Sequence, residues 1–141
     1  MKNALISAGF LLLCASRLAL ADIVVIVSQQ SPVTSIDMHQ ARLIFMGKIG
    51  SFPDGRKVVV IDQPKSLLHD QFYLAVASKT SYQMASYWSR MMFTGAAMLP
   101  IQAATSEEVL RKVANDINAV GYVDSSVLND KVKAVLRLPS P

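Results

Sequence analysis

The stretch Ile23-Val24-Val25-Ile26-Val27 decides the fold. Five consecutive β-branched residues with no polar alternation do not suit a half-exposed strand, whose side chains point by turns to core and to water. They predict a strand buried on both faces, as in a parallel or mixed sheet covered by helices. Polar residues and Pro32 break the run in Ser28-Gln29-Gln30-Ser31-Pro32-Val33. A second buried strand, Lys57-Val58-Val59-Val60-Ile61-Asp62, follows the turn Pro53-Asp54-Gly55. In that turn Pro presets φ, Asp can bond the backbone and Gly accepts positive φ.

The segments around these strands read as helices with recognisable ends. Ser35 is expected to cap a helix over 36–45, with Asp37 in its first turn facing the dipole and Gly47 terminating it in the αL conformation. Two helices are expected over 66–77 and 81–93, divided by Ser78-Lys79-Thr80 and closed by Thr94-Gly95. A third is expected over 105–115, where Thr105 and Glu108 have the spacing of a capping box. Short strands over 119–123 and 132–136 complete the order β-α-β-α-α-α-β-β. This predicts an α/β fold, a small mixed sheet flanked by helices, with 22–141 as one domain.

Upstream, residues 1–21, MKNALISAGFLLLCASRLALA, read as a cleaved signal peptide. Lys2 begins it, an apolar run follows, and Ala19 and Ala21 have the small-x-small spacing of a cleavage site before Asp22. Arg17 interrupts the run short of the ~20 residues that a spanning helix needs. The expected location is therefore periplasmic, with membrane contact only through the signal before cleavage. Retention as an anchor and lipidation at Cys14 are the alternatives, but Leu13 stands where a lipidated cysteine is normally preceded by a small residue. Cys14 is the only cysteine, so the processed chain is expected to carry no thiol and no disulfide.

The net charge of +4 falls to +2 once Lys2 and Arg17 leave, from 12 basic and 10 acidic residues. The basic residues are scattered, which excludes the stripe of a nucleic-acid binder. His39 and His69 lie on different expected helices without the company a metal centre requires, and they read as solvent-facing or hydrogen-bonded helical residues. No nucleophile elbow or paired-carboxylate pattern is present, so no catalytic residues, cofactor or metal are expected, and the chain reads as a non-enzyme. Met84, Trp88, Met91 and Met92 form one apolar stripe at helical spacing, read as core packing, with a partner-binding face as the alternative.

An ordered series of short motifs gives the chain a likeness. The first strand, Leu43-Ile44-Phe45-Met46-Gly47-Lys48, Phe52-Pro53-Asp54-Gly55 and Val58-Val59-Val60-Ile61-Asp62-Gln63 come first. Phe72-Tyr73, Tyr87-Trp88-Ser89-Arg90, Phe93-Thr94-Gly95 and Val120-Gly121-Tyr122-Val123 follow in order. The series resembles the phosphate ABC transporter substrate-binding-like proteins, of the type II periplasmic binding protein group. Full-length members close two α/β lobes over an oxyanion and deliver it to a permease; this chain resembles a short, single-lobe member.

That resemblance implies an anion site in Pro64-Lys65-Ser66-Leu67-Leu68, where full-length relatives carry an Arg with a Ser-Gly-Thr cradle. Lys65 would offer charge, Ser66 a hydroxyl, and the following N–H groups a partial nest. The cradle glycine is absent, and Leu67 and Leu68 stand at polar positions. A second candidate is Ser31, after the first strand, at the carboxyl edge where ligands bind in α/β sheets. Tyr122 and Ser125 would line the same edge; the alternatives are close backbone packing or a bulge at Gly121-Tyr122, and ordinary capping and loop roles for Ser31, Ser66 and Ser125. The expected function is solute binding, of phosphate or a similar oxyanion, for transport or sensing with a membrane permease. The competing expectation is an interaction or assembly module of an envelope complex that has lost solute binding.

Overall fold

Strand β1 (Ile23–Ser28) is buried along its whole length, as its unbroken β-branched run requires. The computed structural model describes residues 22–95 and 98–139, so the expected signal peptide, with Cys14, lies outside the described residues. The other elements are α1 (Met38–Phe45), β2 (Val59–Asp62), α2 (Leu67–Ala77), α3 (Ser81–Thr94), β3 (Ile101–Gln102), α4 (Ser106–Ala114), β4 (Ala119–Asp124) and β5 (Val132–Leu138).

The strands form one five-stranded mixed sheet in the order β3-β2-β4-β1-β5. β2 is parallel to both β3 and β4, whereas β1 is antiparallel to its neighbours β4 and β5. β1 alone therefore runs against the other four. Helices cover both faces, which is why β1 has no polar side. On one face Val25, Val27, Val120 and Tyr122 pack with Phe45, Phe72, Tyr73 and Met84 from α1, α2 and α3. Phe72 lies flat on Tyr122, with ring centroids 3.9 Å apart. On the other face Val24, Ile26 and Val123 meet Val109, Leu110 and Val113 of α4.

Helix ends follow local chemistry, with corrections to the expected boundaries. α1 is capped by Asp37 rather than Ser35: the Asp37 carboxylate accepts the Gln40 N–H at 2.7 Å, and Gln40 Oε1 accepts the Asp37 N–H at 2.9 Å. Ile36 cannot start the helix because its N–H donates to the Val135 carbonyl of β5, holding it extended. β2 starts at Val59, not Lys57. The Val58 N–H donates to the Gly50 carbonyl and Lys57 bridges Ser51, so both residues pair with the preceding loop instead of the sheet. In α4, Thr105 Oγ1 accepts the Glu108 N–H as expected, but the Glu108 carboxylate takes the Ala104 N–H, one residue before the capping-box position. The two-residue β3 is an addition to the expected order; its exposed Ile101-Gln102 is too short to carry a strand pattern.

Candidate functional site

At the carboxyl end of β2 the chain leaves the sheet through Gln63, turns at Pro64-Lys65 and enters α2. Ser66 is the N-cap: its Oγ accepts the His69 N–H at 3.0 Å and donates to the Gln63 carbonyl at 2.9 Å. The hydroxyl is thus committed to the helix end, while the first-turn N–H groups of Leu67 and Leu68 have no intrahelical acceptor. Lys65 is exposed, and Leu67 turns its side chain to solvent. α4 begins at the same edge, where Ser106 Oγ donates to Gln63 Oε1 at 3.3 Å. Gln63, buried, also gives its Nε2–H to the Tyr122 carbonyl at 3.1 Å. Gln63 therefore ties two helix starts to β4, α2 through its backbone carbonyl and α4 through its side chain. Between them lies an open hollow of about 430 Å³ bordered by Pro64, Lys65, Gln102 and Glu108. Hydrogen bonding from the Ala104 N–H, with Lys112 and Arg111 nearby, holds the Glu108 carboxyl below its usual range.

The remaining predicted site residues separate. Ser125 follows β4 at the same edge and donates its N–H to the Asp22 carbonyl at 2.8 Å. Ser31 does not join them. Because β1 runs antiparallel, its carboxyl end lies beside the amino ends of β2 and β4, at the far edge of the sheet. There Ser31 Oγ accepts the Val33 N–H at 3.2 Å and an Arg56 guanidinium N–H at 3.3 Å, and its carbonyl accepts Lys133 Nζ at 2.6 Å. Tyr122 is fully buried rather than lining the edge, and its hydroxyl donates to Asp62 Oδ1 at 2.5 Å.

Asp62 is the centre that the sequence reading missed. Its Oδ1 also accepts the Gln63 N–H at 2.8 Å, and its Oδ2 lies 3.4 Å from the Tyr73 hydroxyl and 3.7 Å from His69 Nε2. The side chains of Asp62 and His69 are each only 6% exposed. Their outer edge forms the floor of a cleft of about 370 Å³, walled by Met84, Trp88, Met92 and Leu99. The signal was present: one acidic residue ends an otherwise apolar strand, and an acid so placed must find partners. Burial, then the Asp62 charge, drives the Tyr73 and Tyr122 hydroxyls far above the usual phenol range. Hydrogen bonds from His69 and Ser81 hold the Asp70 carboxyl low. The methionine stripe divides, with Met84 in the core and Met92 62% exposed beside Phe93 at 96%.

A small mixed sheet with helices on both faces is the fold that this chain shares with about half the length of several solved binding proteins. The chain is similar to a Clostridium perfringens protein assigned as a phosphate ABC transporter substrate-binding protein and solved with bound phosphate, at TM-score 0.65 and 23% identity, covering 84% of this chain and 46% of that one. It is also similar to an ABC-type phosphate transport receptor from Vibrio cholerae, at TM-score 0.55 and 18% identity, covering 83% of this chain and 47% of that one. Against PstS from Borrelia burgdorferi the values are 0.59 and 15%, covering 86% and 47%. The chain spans about half the length of these structures. No family model and no curated protein matches it.

Proposed function

We propose that this chain is an exported, non-enzymatic solute-binding domain that takes a small oxyanion, phosphate or one like it, at the carboxyl edge of β2, for a transport or sensing partner such as a membrane permease. The observation that carries this reading is the meeting of two helix amino ends, joined through Gln63, beside the exposed Lys65. Unpaired N–H groups and the positive ends of two helix dipoles favour a negative ligand there. The similar structures lend support, since the Clostridium perfringens protein holds phosphate on a related fold. Affinity is expected to be modest: Lys65 binds as a point charge without the bidentate fork of Arg, and the Ser66 hydroxyl is already used.

Isothermal titration of the purified protein with phosphate, sulfate and chloride tests this. Saturable heat for phosphate, weakened about tenfold by Lys65→Ala, is the expected result. No heat, together with no rise in melting temperature at millimolar phosphate, would overturn it, because a ligand of the native state must stabilise that state.

A second reading, an assembly module of an envelope complex, is favoured by the exposed apolar end of α3 at Met92 and Phe93. Under that reading an affinity pull-down from envelope extracts recovers a specific partner that Phe93→Ser no longer captures.

A further inference from the structure

We propose that the cleft over Asp62 is a binding site for a small organic cation, an amine carried on an apolar or aromatic body. Four observations carry this. First, the groups hydrogen-bonded to Asp62 are all donors, the set of partners that a carboxylate takes. Second, those donors do not satisfy it evenly. Oδ1 receives both the Tyr122 O–H and the Gln63 N–H, whereas Oδ2 has only the Tyr73 hydroxyl at 3.4 Å. Tyr73 has a single proton and lies closer, at 3.3 Å, to the Phe45 carbonyl.

Third, His69 stands beside Asp62 Oδ2 without bonding it. Its Nδ1 is 3.1 Å from Asp70 Oδ1, and its Nε2 is 3.7 Å from Asp62 Oδ2, too far for a hydrogen bond between those two. Among the described residues Asp62 Oδ2 takes a hydrogen bond only from Tyr73, and an ammonium N–H placed on its cleft side would serve the remaining lone pair. Fourth, the space above matches the rest of such a ligand. Met84, Trp88, Met92 and Leu99 supply apolar and aromatic walls, and the cleft has the size of a small-molecule site. Among the described residues lining it there is no Lys or Arg to compete with a cationic ligand for Asp62. Removing an amine from water costs less when its charge meets a carboxylate and its body meets thioether and indole surface.

Trp88, the only tryptophan in the chain, stands in the wall and reports occupancy by its fluorescence. The probe is phenethylamine, with 2-phenylethanol as the uncharged body of equal size and phenylacetate as the anion. Saturable quenching or enhancement by phenethylamine is expected, with 2-phenylethanol at least about tenfold weaker and phenylacetate weaker still. Asp62→Asn, checked for folding by circular dichroism, is expected to remove the preference for the amine over the alcohol. Should that variant not fold, Tyr73→Phe keeps the ring and removes the hydroxyl that bonds Oδ2, and it is expected to raise amine affinity several-fold while leaving the alcohol unchanged. Equal affinity for amine and alcohol, no saturation in the millimolar range, or an unchanged preference in a folded variant would overturn the proposal. Phenethylamine carries no oxyanion, so the outcome is independent of phosphate binding at the turn after β2.

Discussion

Gly121 has no room for a side chain. A Cβ there would stand 2.8 Å from Val109 Cγ1 and 3.2 Å from Val113 Cγ2, so the close seating of α4 on β4 depends on the bare backbone. Gly121→Ala is expected to destabilise the protein by about 1–3 kcal/mol, through forced displacement of packed valines. A lower urea midpoint with an unchanged slope would record it. The Gly121-Tyr122 pair was conspicuous in the sequence, but its meaning was divided between packing and ligand contact. Only the neighbours decide: α4 approaches the glycine from one face, while the tyrosine points to the other and spends its hydroxyl on Asp62. Asp62 itself passed as the end of a strand, because the partners that make it a centre come from β4 and α2, 60 and 7 residues away in the chain.

Element ends obey rules that need few residues, and so most were legible. Ser66, Thr80 and Thr105 all accept an N–H from three residues on, as their sequence contexts imply. Where an end was misjudged, a tertiary hydrogen bond had overruled the local preference: Ile36 answers to β5, and Lys57 and Val58 to the loop before them. The turn into α2 puts a specific prediction at this scale. Ser66→Ala is expected to cost about 1 kcal/mol of stability, the usual loss of an N-cap. Its phosphate affinity should change less than that of Lys65→Ala, since the hydroxyl already serves Gln63 and His69. Thermal melts and titrations of the two variants side by side measure both quantities.

At the scale of the whole molecule, the aromatic core ties stability to alkaline pH. The folded state holds the Tyr73 and Tyr122 hydroxyl protons to well above the ordinary phenol range near pH 10, by burial first and the Asp62 charge second. A raised pKa means that the native state holds these protons more tightly than the unfolded chain does. The stabilisation is complete below about pH 10 and is lost as pH climbs past it, where the unfolded chain releases them. Tyrosinate absorbance from these two residues is therefore expected to appear together with the loss of far-ultraviolet circular dichroism. Ionisation of both before unfolding would contradict the packing of Phe72 on Tyr122. By itself the sequence determined the α/β class, the buried first strand and four helices, because hydrophobic period and capping are short-range properties of the chain. Only the tertiary structure decided that β1 runs against its neighbours, which sends Ser31 to the far edge and leaves Lys65, Ser66 and Ser125 at the near one. Strand direction is set by which hydrogen-bond ladders close and which faces the helices can cover. Those are contacts between residues far apart in sequence, and no local pattern encodes them.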